Sequence, residues 1–218
     1  MPVTDLPKPR AILFDWDNTL VDTWPLIHAA MNMTLRHFDM PEWSMEKILA
    51  EVKLSMRDAF PGLFGDRWQE AGDIYIASYR SMNLKHLKAL DGAEEMLKAI
   101  PRDRVFTGVV SNKTSATLKQ EVPALGWDKY FNVWVGAGDA AKDKPFAEPA
   151  LLALKDSGVK PGPDVWFVGD TEADLGCAQN AGFSAVLYGQ HIMKETDLPY
   201  AVHVKDQYEL KELISSLV

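Results

Sequence analysis

The sequence predicts an α/β protein: a doubly wound parallel sheet with an all-helical segment inserted after its first strand. Three observations predict this class. The apolar run Ala11-Ile12-Leu13-Phe14 stands directly before Asp15-Trp16-Asp17-Asn18-Thr19, the pattern of a strand buried on both faces that runs into a loop. From about residue 88 onward, short apolar runs alternate with helical spacings, which is the rhythm of βα units. Between residues 22 and 87 no strand signal interrupts the helical spacing.

Taken in order, the first strand covers 11–14. Pro25 suits a first helical turn, and Leu26, Ala29, Ala30, Met33 and Phe38 keep a helical period over 24–38. Ser44 can cap a short helix to about residue 51, and residues 66–83 form another helix. Trp24, Trp43 and Trp68 read as the apolar core of this insertion. A helix over 92–100 then precedes a strand at 105–110, a helix over 114–125 and a strand at 131–135. A helix over 146–156 is stopped by Gly158. The strand at 165–168 leads to a helix over 172–181 ended by Gly182, and a strand at 185–188 follows. Asp206 and Glu209 have capping-box spacing before the stripe Leu210, Leu213, Ile214 and Leu217. The expected division is a core of 1–21 with 88–218, and a helical insertion of 22–87.

The 218 residues allow one large domain or a core with a smaller companion. A net charge of -8 argues against a nucleic-acid binder, which would show a basic face. It leaves room for a small anionic substrate, because a metal and a few local cations override the global field. One cysteine, Cys177, excludes a disulfide framework and a multi-thiolate metal site. Its small-residue surroundings, Leu175-Gly176-Cys177-Ala178, read as a buried helix. The polar opening stretch suggests no secretory signal, and no window is apolar enough to span a bilayer. The expectation is a cytoplasmic protein with no membrane partner.

In open parallel sheets, ligands bind outside the carboxyl ends of the strands. Applied here, that rule gathers Asp15 and Asp17 from the first strand, Ser111-Asn112-Lys113 from the strand at 105–110, and Gly169-Asp170 with Asp174 from the strand at 165–168. A loop before Pro145 adds Lys142 and Lys144. Two carboxylates two residues apart repel unless one is protonated or both face a cation. A hard divalent ion such as Mg2+, held by carboxylates and substrate phosphate, meets that requirement. Read alone, Asp15 or Asp170 is a helix cap; as a set, these groups point to metal-assisted phosphate chemistry.

Asp15-x-Asp17-x-Thr19, Ser111-Asn112, Lys144-Pro145 and Gly169-Asp170-x-x-x-Asp174 resemble, in order and spacing, the four motifs of the haloacid dehalogenase-like hydrolase superfamily. Residues 14–23 and the position of the insertion are most similar to its phosphoglycolate phosphatase-like branch. The resemblance implies a Rossmann-like core, a mobile helical cap, and a Mg2+-dependent phosphatase of small phosphorylated metabolites. It implies Asp15 as the nucleophile that becomes an aspartyl-phosphate, and Asp17 as the acid and base. Mg2+ would be held by Asp15, the Asp17 carbonyl and Asp170, supported by Asp174. Ser111 and Lys144 would bind the phosphoryl group, with Thr19 and Asn112 supporting the substrate site. Two positions depart from the family pattern. Asn18 stands where the family has Gly, at a bend that Asn tolerates, and Ala147 replaces a second Pro. Only the following Pro favours Lys144 over Lys142.

In the cap, Lys53, Ser55 and Arg57 form a polar stretch between two helices, and the expectation is that Arg57 or Lys53 contacts the leaving group. His28 could face the cleft or serve packing. Other functional readings share parts of this pattern. A β-phosphoglucomutase-like sugar-phosphate mutase uses the same fold. Dehalogenation would not need the acid at Asp17. Phosphonate cleavage would need a Schiff-base lysine such as Lys47 or Lys53. A non-enzymatic phospho-acceptor switch of the receiver type is about half this length and has no helical insertion.

Overall fold

The computed structural model describes residues 6–52, 54–189 and 197–217. Six parallel strands form one sheet in the order β5-β4-β1-β6-β7-β8. They are β1 (Ala11–Phe14), β4 (Phe106–Thr114), β5 (Val133–Ala137), β6 (Val165–Gly169), β7 (Ser184–Tyr188) and β8 (Val202–Val204). The buried run of β1 lies between β4 and β6, with Leu13 opposite both Gly108 and Phe167. Successive side chains on a strand point to opposite faces, and the core divides accordingly. Ile12, Phe14, Trp166 and Val168 pack on one face; Ala11, Leu13, Val165 and Phe167 pack on the other.

The first face is covered by α5 (Ala93–Ala99), α6 (Ser115–Ala124) and α9 (Gln207–Leu217), through residues such as Met96, Leu118 and Ile214. The second is covered by α7 (Glu148–Leu154) and α8 (Glu172–Ala181), through Ala150, Leu154, Leu175 and Ala178. Helices on both faces of a parallel sheet make the doubly wound arrangement that the sequence predicts. Cys177 is fully buried, and burial pushes its thiol up to about 12, so it is protonated and inert at neutral pH.

Four helices leave the core after β1: α1 (Trp24–His37), α2 (Met45–Glu51), α3 (Met56–Phe64) and α4 (Trp68–His86). They share their own apolar cluster, centred on Leu26, Leu35, Ile48, Phe60 and Tyr79, with Trp24, Trp43 and Trp68 packed against it. The insertion fits a cap. Ser44 caps α2, accepting from the Lys47 amide at 3.2 Å. The antiparallel pair β2 (Val21–Asp22) and β3 (Lys88–Ala89) ties the two chain crossings together.

Several expectations are corrected. The polar stretch at 55–57 opens helix α3, whose apolar signal is diluted by Arg57, Asp58 and an internal Pro61; Ser55 donates to Asp58 Oδ2 at 2.7 Å. β4 continues past residue 110 to Thr114, with a register shift against β5 between Val110 and Thr114. β5 starts two residues later than expected, after a single 3-10 turn at Asp128–Tyr130. α7 is shorter than the 146–156 helix, and β8 and the β2–β3 pair went unread. Among the described residues, no helix is long and apolar enough to cross a membrane.

Leu13, fully buried and sandwiched between β4 and β6, gives the packing test. Leu13→Ala is expected to cost about 2–5 kcal/mol, read as a lower urea midpoint with an unchanged m-value.

Candidate active site

β1 ends at Phe14, so Asp15 is the first residue beyond the pleated run, and its amide still donates to the Val168 carbonyl at 2.8 Å. That bond fixes the side chain at the carbonyl rim beside Asp170, which follows β6. The turn closes through Asn18, whose φ of 61° is left-handed, a conformation that Asn tolerates better than most residues. Its Oδ1 accepts from the amides of Thr23 at 3.1 Å and Trp24 at 3.2 Å. The residue that departs from the family pattern therefore makes the bend and also satisfies free amides at the start of α1.

Asp15, Asp170 and Asp174 are all buried, and one oxygen of each lies within 4.8 Å of the others. Lys144, also buried, inserts its ammonium among them, 2.6 Å from Asp15 Oδ1 and 2.7 Å from Asp174 Oδ1. Thr19 is fully buried and donates to Asp170 Oδ1 at 3.1 Å. Asp174 also accepts at Oδ2 from the amide (2.9 Å) and the hydroxyl (2.6 Å) of Thr171, so it braces the start of α8 as well as the cation. Gly169 allows this approach: a Cβ there would sit 2.3 Å from Asp174 Cγ.

Three carboxylates against one ammonium leave an electrostatic deficit. Burial, opposed by Lys144 and reinforced by Asp174 and Asp17, pushes Asp15 up to about 7. Burial and then Asp15 and Asp174 drive Asp170 well above the usual carboxylate range. Burial pulls Lys144 down, but Asp15 and Asp174 outweigh it and hold the ammonium charged. A second cation would relieve the deficit, and an all-oxygen set of crowded carboxylates is a hard-ion donor set. The residues present fit a divalent cation.

Asn112 Oδ1 accepts from the Lys144 amide at 2.9 Å, and its Nδ2 donates to the Lys144 carbonyl at 3.0 Å. Asn112 thereby clamps the main chain that carries Lys144. Ser111 Oγ accepts from the Lys113 amide at 3.1 Å, which leaves its own proton for an acceptor in the cleft. The structure separates the rival lysines: Lys142 is exposed, with its ammonium over the Phe146 ring and 4.0 Å from Glu148.

A network missed in the sequence stands behind Asp17. Lys113 Nζ lies 2.6 Å from Asp17 Oδ1. It donates to Tyr79 Oη at 2.7 Å and to both oxygens of Glu121, at 2.9 and 2.7 Å. The one ammonium therefore serves Asp17, Tyr79 and Glu121 together. Trp16 Nε1 donates to Glu121 Oε2 at 2.6 Å. Burial, opposed by Lys113, raises Glu121 above the ordinary range. The only sequence signal was Lys113 itself, adjoining Ser111-Asn112; nothing marked Glu121 or Tyr79.

The structure does not bring Arg57 to the cavity. Its Nε pairs with the buried Asp143 at 2.7 Å, and its Nη2 donates to the Ala141 carbonyl at 3.3 Å. The guanidinium therefore ties α3 to the loop before Lys144. Lys53 lies outside the described residues. His28 Nε2 is 3.0 Å from the Trp43 carbonyl and 3.1 Å from Asn32 Nδ2, a packing role.

Removing one crowded charge should help the metal-free fold while harming metal binding. Asp170→Asn is expected to unfold at a higher temperature than wild type in chelator. Wild type should gain about 2.7 kcal/mol at a metal concentration one hundred times Kd, and the variant should lose most of that gain. The sign with pH follows from Asp15. The folded state keeps a proton that the unfolded chain sheds near 3.8. Metal-free stability from this group is complete below about pH 4 and falls as pH rises through about 7. Calorimetric scans across pH, with and without Mg2+, check both outcomes.

The family model described as haloacid dehalogenase-like hydrolase matches residues 12–188. The chain is 29% identical over 202 residues to a phosphoglycolate phosphatase of Xanthomonas campestris pv. campestris (strain 8004), covering 90% of this chain and 91% of the relative. It is 33% identical over 178 residues to the pyrophosphatase PpaX of Bacillus pumilus (strain SAFR-032), covering 79% and 80%. A crystal structure of a HAD-superfamily hydrolase from Ehrlichia chaffeensis aligns with a TM-score of 0.67 at 27% identity, covering 98% of this chain and 99% of that one. The relatives carry the names of hydrolases, which does not favour the mutase alternative. With a family match extending from β1 through β7 and the motif residues gathered at one rim, this chain belongs to the haloacid dehalogenase-like hydrolases.

Proposed function

We propose that the chain is a Mg2+-dependent phosphatase of small phosphate monoesters, acting through an aspartyl-phosphate on Asp15. The observation that carries the reading is the ammonium of Lys144 held 2.6 Å from Asp15 within a buried carboxylate triad. A carboxylate nucleophile must meet an anionic phosphoryl group, and the adjacent positive charge offsets that repulsion.

In the first step an Asp15 carboxylate oxygen attacks phosphorus, and the phosphorus–alcohol bond breaks as the new bond forms. Asp17 gives its proton to the departing alkoxide. In the second step Asp17 takes a proton from water as the water oxygen attacks phosphorus, and Asp15 leaves to regenerate the carboxylate and free phosphate. Ser111 and Lys144 hold the phosphoryl oxygens, while Thr19 and Asn112 act one layer back, on Asp170 and on the Lys144 backbone. Asp15, Asp170 and the Asp17 carbonyl would hold Mg2+, with Asp174 supporting the set. When bound, the ion would supply positive charge that offsets repulsion between the carboxylate nucleophile and an anionic phosphoryl group.

Turnover of para-nitrophenyl phosphate is expected to require Mg2+ and to fall by about three or more orders of magnitude in Asp15→Asn. In isotope-labelled water the label is expected in released phosphate. Release of unlabelled product with the phosphoryl group returned to the substrate skeleton would instead identify a mutase, and no turnover with any ester would defeat the reading.

A further inference from the structure

We propose that the leaving alcohol of the substrate is uncharged and apolar, with a body about the size of an aromatic ring. The proposal rests on the phosphatase reading and names the substrate class for the same site. A single cavity of about 510 Å³ extends from the carboxylate rim up between the four cap helices. That is the range of pockets for whole small molecules, and a two-carbon phosphate would occupy only its floor. Above the floor the walls are Trp24 and Met31 from α1, Trp43 from the segment before α2, Phe60 from α3 and Tyr75 from α4.

Charge makes the same selection. Among the described residues that line the cavity, the cations are Lys47, Lys113 and Lys144. Lys144 is committed to Asp15 and Asp174, and Lys113 to Asp17 and Glu121. Lys47 is exposed, its ammonium lies over the Trp43 ring at 4.6 Å, and Glu51 lines the same wall one turn further on. Arg57, the guanidinium that could have reached in, is spent on Asp143. A second anionic group on the leaving alcohol would enter this space without a dedicated buried partner among the described residues, at a heavy desolvation cost. An aromatic or branched aliphatic body would gain about 25 cal/mol for each Å² it buries there.

The test compares three alkyl phosphates, so that leaving-group chemistry stays nearly constant: benzyl phosphate, ethyl phosphate and phosphoglycolate, each with Mg2+. The expected kcat/KM for benzyl phosphate exceeds each of the other two by about tenfold or more. Leu54→Lys places a cation on an exposed position of the cavity wall. It is expected to raise the phosphoglycolate-to-benzyl ratio by about tenfold. Equal or higher kcat/KM for phosphoglycolate in wild type would overturn the apolar assignment while leaving the phosphatase reading intact. Turnover of none of the three, nor of para-nitrophenyl phosphate, would overturn both.

Discussion

Three buried carboxylates sharing one buried ammonium are the constraint around which this molecule is arranged. Such a set is unstable by itself, since a buried charge without a counterion costs several kcal/mol. Every neighbouring feature reduces that cost or directs it. Thr19 and Thr171 donate to the carboxylates, Asn112 pins the backbone of Lys144 from both sides, and Gly169 leaves the space that Asp174 occupies. The remaining deficit is a standing demand for a cation, so the fit of this set to a divalent ion is a consequence of the packing.

The sheet order makes this crowding possible. β1 is central, with β4 on one side and β6 on the other, so the carbonyl ends of three neighbouring strands deliver Asp15, Ser111 and Asp170 to one place. Parallel strands align those ends by construction, and the crevice there is where doubly wound sheets bind ligands. Hydrophobic burial on both faces packs the strands that lead to the rim, with Ile12, Leu13, Trp166 and Val168 fully buried.

Much of this was legible because it depends on local pattern. The four-residue apolar runs mark buried strands, and acids placed directly after such runs must lie at the sheet rim. Asn18 could be read as a left-handed bend because few other residues accept that backbone. The unread parts depend on tertiary packing. α3 carries Arg57, Asp58 and Pro61 in nine residues, so its apolar period is weak, and only Phe60 becomes buried. Arg57 lies in the expected cap segment, but its partner Asp143 is 86 positions away, and no local signal tells a guanidinium which acid it will find. Glu121 is fully buried within an ordinary helical spacing, which from sequence reads as a surface charge.

Two polar bridges join cap and core. Arg57 on α3 grips Asp143, the residue before Lys144. Tyr79 on α4 accepts from Lys113, the residue against Asp17. Each bridge ends within one residue or one contact of a group proposed for the chemistry. Moving the cap away from the core would expose a buried carboxylate at one bridge and remove an ammonium's hydrogen-bond acceptor at the other, both unfavourable unless water or substrate replaces them. Cap position and the charge arrangement at the rim are therefore not independent, because they share these side chains. A leaving group filling the apolar space between the bridges would add burial to the same arrangement that sets Lys144 and Asp17. On the proposed reading, recognition of the alcohol and alignment of Asp15 and Asp17 would draw on one set of contacts.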